Sequence, residues 1–271
     1  MTVSTDELAY VQSIVRNDSA IVLDDSKAYL VEARLQPVAR EQGLATIGAL
    51  VDELKRGSTT LRARVVEALT TNETSFFRDV HPFDALATTV VPALLPARAA
   101  NRRLRIWSAA CSSGQESYSI AMTMVDRAPQ LAHWDVRIHG TDLSREMVAR
   151  ATAGQYTQLE VNRGLAAPLL LRHFERAGTA WTVKPSLRAL TSFTQMNLTR
   201  PWPLREQFDI VFLRNVLIYF DTETKADILA RMRGVLAPDG YLFLGAAEML
   251  LAKTAGYTIE RDERCTWCRP A

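Results

Sequence analysis

With 271 residues, 48% of them hydrophobic and 23% charged, the chain is long enough to bury a substantial core and too apolar to remain disordered. A net charge of +2 excludes strong binding to duplex nucleic acid through bulk charge. No apolar run reaches the roughly 18 uncharged residues of a membrane span, and the opening MTVSTDELAY lacks the basic start and apolar stretch of a signal peptide, so a cytoplasmic protein is expected.

Residues 1–70 read as helical. Apolar residues recur at three- and four-residue spacing in Leu8, Val11, Ile14 and Val15, and again in Leu44, Ile47, Leu50, Val51 and Leu54. Pro37 is expected to kink or end a helix that begins near Ser26. Lys27, Arg34, Arg40, Lys55, Arg56, Arg62 and Arg64 outnumber the acids of residues 26–64 by three, a bias suited either to an acidic partner or to a solvated helix face. A helical domain is drawn over 1–79, followed by a proline-containing linker over 80–101 (Pro82, Pro92, Pro96).

From residue 102 onward short apolar runs alternate with helical stretches. Leu104–Ala109, Val136–Thr141, Phe208–Leu213 and Tyr241–Leu244 read as strands, and Gln115–Arg127, Arg145–Ala151 and Thr222–Leu236 as helices. The pattern predicts an α/β domain over 102–271 with a mainly parallel sheet covered on both faces. Residues 165–192 break the rhythm. A helix over Ala166–Arg176 followed by β-like Trp181–Lys184 and Leu187–Leu190 suggests a small inserted β subdomain. Cys265 and Cys268 fall on a terminal strand, and the four histidines lack the spacing of zinc ligands, so no metal is expected.

Chemistry-bearing residues collect where the predicted strands end. The first strand runs into Ala109-Ala110-Cys111-Ser112-Ser113-Gly114-Gln115-Glu116, small residues that let backbone approach a ligand. The second ends in Gly140-Thr141-Asp142, where a carboxylate suits two ribose hydroxyls or a helix cap, a role for which Ser144 competes. Asn197-Leu198 follows a β-like run over Leu190–Met196, and Arg214-Asn215 stands directly after Phe208–Leu213. In an open parallel sheet ligands bind beyond the carboxyl ends of strands, which puts these residues in one cleft. A nicotinamide and an S-adenosylmethionine cofactor both satisfy the first two features. The chain has no GxGxxG fingerprint and no evident proton-transferring residue for an oxidoreductase.

Four segments then narrow the choice: Asn72-Glu73-Thr74-Ser75-Phe76-Phe77-Arg78-Asp79, the run from Trp107 to Ser119, Gly140-Thr141-Asp142-Leu143-Ser144, and Arg214-Asn215-Val216-Leu217-Ile218-Tyr219-Phe220-Asp221. In order and spacing they resemble the chemotaxis protein methyltransferases of the CheR type. The resemblance covers nearly the whole chain. It implies an N-terminal all-α domain, a Rossmann-like methyltransferase domain with a small antiparallel insert, and S-adenosylmethionine as cofactor, released as S-adenosylhomocysteine. Carried across, the cofactor contacts are Asn72, Thr74, Arg78, Glu116, Asp142, Asn197, Leu198, Arg214 and Asn215. The implied substrates are glutamates on the cytoplasmic helical bundle of chemoreceptors, which become methyl esters.

Esterification of a glutamate, with its ordinary pKa of about 4.3, needs no strong base, so the lack of a catalytic dyad agrees with that reading. Opposite charges for the zwitterionic tail of the cofactor are required, a task for Arg78 and Glu116, and Tyr219 is the candidate for orienting the attacking carboxylate. Lys27, Arg34 and Arg40 are candidates for steering onto acidic receptor helices. The insert turn Arg176-Ala177-Gly178-Thr179-Ala180 is short and glycine-poor, which argues against tethering to a C-terminal receptor pentapeptide. A monomer acting directly on the receptor is expected, and a non-catalytic cofactor sensor is the competing reading.

Overall fold

The computed structural model describes residues 3–271. The chain forms two units: one holds the residues up to Thr71 with a short later segment, Tyr219–Thr224, and the other holds Asn72–Ile218 and Lys225–Ala271. The first unit therefore ends at Thr71 rather than after Asp79.

In this helical unit α1 (Thr5–Ser19), α2 (Ala28–Glu41), α3 (Ile47–Lys55) and α4 (Thr59–Leu69) follow one another through short loops. The ends are specified locally. Ser4 Oγ accepts the Glu7 N–H while the Glu7 carboxylate accepts the Ser4 N–H, and Thr46 and Ser58 cap α3 and α4. Val11, Val15, Val31, Leu35, Leu50, Val51 and Val65 are fully buried between the helices. Pro37 does not end α2, which continues to Glu41. Burial of Leu35, Val38 and Ala39 on the inner face outweighs the roughly 3 kcal/mol that an interior proline costs.

The local excess of bases is mostly neutralised. Arg62 binds Asp18, Arg64 Glu41, Arg56 Glu53 and Lys27 Asp24, while Arg34 donates to the Thr70 carbonyl at 2.5 Å. Of the three bases read as steering groups, Arg40 alone has no such partner among the described residues. Tyr219–Thr224 packs with this unit: the Val22 N–H donates to the Tyr219 carbonyl at 2.9 Å, and Arg16 reaches Asp221 at 3.3 Å.

The second unit opens with helix where a linker was expected. α5 (His81–Ala85), a π-helical turn (Leu86–Val90) and α6 (Val91–Arg98) run continuously; Pro82 stands in the first turn, where no N–H is needed, and Pro92 is the second residue of α6, after the π-helical turn. Phe83, Leu86, Val90, Val91 and Leu94 sink into the main core. Arg98 at the far end binds Asp209 and Asp239, both at 2.5 Å, and Asp209 also accepts the Arg105 N–H. An apolar face and a buried ion-pair anchor make residues 80–101 the first helical layer of the sheet domain.

The remaining elements are β1 (Arg103–Ala109), α7 (Gln115–Arg127), β2 (Asp135–Asp142), α8 (Arg145–Ala153), β3 (Gln155–Thr157), α9 (Gln158–Asn162), α10 (Ala167–His173), β4 (Phe174–Ala177), β5 (Ala180–Val183), α11 (Pro185–Arg188), β6 (Thr191–Gln195), β7 (Phe208–Leu213), α12 (Thr222–Val235), β8 (Leu236–Leu244), α13 (Met249–Thr254), β9 (Tyr257–Arg261) and β10 (Thr266–Pro270). The main sheet has the order β6-β2-β1-β7-β8-β10-β9; the first five strands are parallel, and β10 pairs antiparallel with both β8 and β9. β1 and β7 are buried along nearly their whole length, as central strands covered on both faces must be. They lie side by side, Ile106 opposite Ile210 and Ser108 opposite Phe212, while the chain leaves β1 toward β2 and leaves β7 toward β8. This reversal opens a crevice beyond their carboxyl ends.

The insert is a three-stranded antiparallel sheet, β3-β5-β4, and it begins earlier than residue 165, at Gln155. Residues 174–177 form β4 rather than the tail of a helix, and Leu187 sits on the helical turn α11 rather than on a strand. Short apolar runs of this length fit either state, and pairing with β5 decided in favour of strand for β4. His173, buried, places Nε2 2.8 Å from Asp126 on α7 and ties the insert to the sheet domain.

Gly164, between α9 and α10, has φ +88° and lies so close to Phe76 that a Cβ would overlap the Phe76 carbonyl oxygen. Gly164→Ala is expected to destabilise the protein by about 1–3 kcal/mol, read as a lowered urea midpoint; an unchanged midpoint would show that this backbone contact has slack.

Candidate active site

Three loops meet at the carboxyl edge of β1, β2 and β7. The loop after β1 turns sharply, with Ala110 at φ 54°, Ser112 at 50° and Gly114 at 95°. A Cβ on Gly114 would stand 2.9 Å from that of Ala151 and 3.1 Å from the Tyr156 hydroxyl, so glycine is required there for space as well as for conformation. At the end of β2 the Asp142 carboxylate accepts the Ser112 N–H at 2.8 Å and the Ser144 N–H at 2.9 Å. The cap of α8 is Ser144, whose Oγ accepts the Met147 N–H. Asp142 thus joins two loops and is 6% exposed.

At the end of β7 the Arg214 guanidinium, with a side chain 2% exposed, gathers the other loops. It binds Asp79 at 2.6 Å, the Arg78 carbonyl at 2.9 Å and Glu116 at 3.2 Å. The other Glu116 oxygen accepts the Ser108 hydroxyl at 2.8 Å. Among the described residues, six of the eight non-glycine positions with positive φ lie on these loops: Phe77, Asp79, Val80, Ala110, Ser112 and Asn215. Val80 is β-branched, which makes its φ of 46° unusually unfavourable. Strain of this kind persists only where surrounding contacts over-determine the backbone, and it concentrates at ligand sites.

Nine of the predicted residues lie in the sheet unit. Asn72 and Thr74 are half-buried on the segment leading to α5, and the Asn72 carbonyl accepts the Ser112 hydroxyl at 2.7 Å. Arg78, half-buried, makes no ion pair among the described residues and only a long contact, 3.5 Å, to the Glu73 carbonyl, so its charge is available to a ligand carboxylate. Glu116, Asp142, Arg214 and Asn215 sit as described. Asn197 Oδ1 accepts from Thr199 N–H and hydroxyl, closing a local turn, and Leu198 is buried. Tyr219 belongs to the short segment Tyr219–Thr224 that is counted with the helical unit.

Among the described residues, two buried polar atoms here have no hydrogen-bond partner, Arg214 Nε and Asn215 Oδ1. A buried donor and acceptor of this kind are open to a polar ligand or water. The chemistry of the set, an unpaired cation in Arg78, a carboxylate in Asp142 and polar acceptors beside them, is compatible with a zwitterionic nucleoside cofactor such as S-adenosylmethionine.

Sequence reasoning missed the groups that hold these loops. Arg231 on α12 donates to the carbonyls of Leu198, at 3.0 Å, and Arg200, and stacks 4.2 Å from the centre of the Trp202 ring, whose indole N–H also reaches the Leu198 carbonyl. Glu248, 1% exposed, accepts the N–H groups of Asn215 and Val216. Nothing in a sequence distinguishes a helix-face arginine from a loop clamp, since the partners are backbone atoms of a distant segment.

Family-level comparison agrees with the geometry. Residues 72–264 match the CheR methyltransferase, SAM binding domain, and residues 6–70 the CheR methyltransferase, all-alpha domain. The chain belongs to the CheR methyltransferase family. Chemotaxis protein methyltransferase 1 of Pseudomonas aeruginosa is 46% identical over 235 residues, 85% of each chain. Cher2 of Pseudomonas putida is 43% identical over 257 residues, 91% of this chain and 92% of that one, and a chemotaxis protein methyltransferase of Vibrio parahaemolyticus is 42% identical over 267, 96% and 95%. The protein is an S-adenosylmethionine-dependent methyltransferase of chemotaxis, with the α/β fold of such enzymes and an all-α N-terminal domain.

Arg231→Ala is expected to weaken S-adenosylhomocysteine binding several-fold by calorimetry while the melting temperature moves by only a few degrees; unchanged affinity would remove Arg231 from the site's support. Burial, with the charges of Asp142 and Glu116 nearby, pushes the Cys111 thiol well above its usual range. Its neutral form is the stabilised one, so its contribution is complete below the ordinary thiol pKa and declines as pH rises beyond it. Cys111 should therefore resist iodoacetamide at pH 8 in the folded protein, as mass spectrometry of labelled peptides would show, and labelling at the rate of a free thiol would contradict the buried placement.

Proposed function

We propose that the protein forms methyl esters on glutamate side chains of the cytoplasmic helical bundle of chemoreceptors, acting in the cytoplasm as a monomer. The observation that carries this reading is the polar cleft beyond β1 and β7, where Arg78 is left without an ion pair among the described residues and Arg214 is shared between two carboxylates, Glu116 and Asp79. Among the described residues no helix is long and apolar enough to cross a membrane.

The bound cofactor supplies an electrophilic methyl group on a sulfonium. Around it the chain's own residues have three tasks. Arg78 neutralises the cofactor carboxylate, Asp142 orients the ribose by accepting from its hydroxyls, and Glu116 offers negative charge near the ammonium. Because a glutamate substrate is ionised at neutral pH, no residue has to remove a proton, and catalysis rests on alignment and exclusion of water. The raised pKa of Cys111 keeps its thiol protonated, so it does not compete as a nucleophile for the methyl group. Tyr219, four residues beyond Asn215, is assigned the orientation of the attacking carboxylate through its hydroxyl.

Recognition is proposed to be direct, without a receptor pentapeptide. In support, Ala177 pairs with Ala180, so the β4–β5 connection is a two-residue turn, Gly178-Thr179, that offers no loop to close over a docked peptide. Pairing of Lys27 and Arg34 within the helical unit leaves Arg40 as the uncommitted base of the three for contact with acidic helices.

The deciding experiment incubates the protein with S-adenosylmethionine carrying a labelled methyl group and a receptor cytoplasmic fragment, then applies mild alkali. Label that enters the receptor and leaves as methanol supports glutamate esters; alkali-stable label would overturn them. Arg78→Ala should reduce affinity for S-adenosylhomocysteine by about tenfold or more, the loss expected for one charge-assisted hydrogen-bonded contact. Tyr219→Phe should lower kcat more than it raises the KM for cofactor, and equal effects on both would argue against its role.

A further inference from the structure

Glu248 lies in none of the four motifs, yet it is one of the most deeply buried charged side chains of the sheet unit, 1% exposed on the short helical turn Ala246–Glu248 after β8. Its Oε2 accepts the Gly245 N–H at 2.7 Å and the Asn215 N–H at 3.0 Å, and its Oε1 accepts the Val216 N–H at 2.8 Å. Among the described residues no lysine, arginine or histidine pairs with it. A carboxylate this deep costs several kcal/mol to desolvate unless its lone pairs are filled. Here three peptide N–H groups from two loops fill them.

The donors say what the carboxylate is for. Two belong to Asn215 and Val216, in the turn that leaves β7 at the crevice, and Asn215 there holds φ 59°. The amide nitrogen of Asn215 lies against Gly245, where a Cβ on that glycine would come within 3.0 Å, and among the described residues Asn215 Oδ1, though buried, has no hydrogen-bond partner. Glu248 thus fixes a left-handed turn, a conformation that asparagine tolerates, while one acceptor of Asn215 stays unfilled. Glutamate suits this because an ionised carboxylate only accepts hydrogen bonds; a glutamine would turn an NH2 toward one of the converging N–H groups.

Resting on the cofactor reading above, we propose that Glu248 is a positioning residue of the methyltransferase: it locks the Asn215–Val216 turn so that Asn215 Oδ1 receives a donor from the bound cofactor. Glu248 touches neither cofactor nor substrate and acts through Asn215 alone.

A double-mutant cycle on the full-length protein tests this. S-Adenosylhomocysteine affinity is measured by calorimetry for the unsubstituted protein, Glu248→Gln, Asn215→Ala and the double variant, well below the lowest melting temperature of the four. Positioning predicts that Glu248→Gln loses tenfold or more in affinity, and that the same substitution made on top of Asn215→Ala loses less than about twofold further. A merely structural anchor would lower affinity by the same factor in both backgrounds, and that result, or full affinity in Glu248→Gln, overturns the inference. Should Glu248→Gln fail to fold, Glu248→Asp replaces it in the cycle, retaining the charge while withdrawing the carboxylate by one methylene, with the same two outcomes. An unsubstituted protein that binds no S-adenosylhomocysteine overturns the cofactor reading itself, whereas binding by that protein with an additive cycle overturns only the role of Glu248.

Discussion

The buried guanidinium of Arg214 is the contact on which the site's architecture depends. It bridges the segment before α5 and the first turn of α7 from the end of β7, so three stretches far apart in sequence acquire one geometry. A planar group with five donors can do this; a lysine ammonium, a compact point charge with three, cannot span the same partners. Because the guanidinium is desolvated, it needs at least one of its two carboxylate partners to compensate its charge in a low-dielectric interior. That contact holds the segment carrying Phe77, Asp79 and Val80, whose φ values are positive, against the end of β7.

Arginines held by carboxylates recur through the sheet unit, with the guanidinium more buried than most of its partners. At the amino ends of the strands Arg98 holds Asp209 and Asp239, anchoring α6, and Arg105 meets Asp135 and Glu206. At the carboxyl ends Asp142 and Glu248 are instead satisfied chiefly by backbone N–H groups. The difference has a functional sense. Ion pairs fix whole elements against each other, whereas carboxylates receiving peptide hydrogens fix the course of a loop to within a single residue, which is the precision a ligand crevice requires.

The chemistry makes modest demands that match this construction. An ionised nucleophile and an activated methyl donor need alignment and dryness more than proton transfer, so a scaffold of rigid loops can serve where no catalytic dyad exists. Arg78 makes no ion pair among the described residues, which makes it the group of this cluster best able to respond to an incoming carboxylate.

Periodicity and strand-end chemistry alone determined the helical character of residues 1–70, the parallel sheet, and the clustering of Glu116, Asp142, Arg214 and Asn215 at one edge, because each is a local consequence of side-chain spacing along a strand or helix. The motif segments added Asn72, Thr74 and Arg78. Only the tertiary structure decided the rest. Residues 80–101 became helix because an apolar face found a core and Arg98 found two aspartates; α2 ran through Pro37 because packing outweighed a missing hydrogen bond; and Phe174–Ala177 became strand because β5 lay beside it. Arg231 and Glu248 were illegible for a related reason. Their partners are peptide groups on segments well separated along the chain, and a backbone N–H or carbonyl carries no signature in the sequence until the fold brings it within reach.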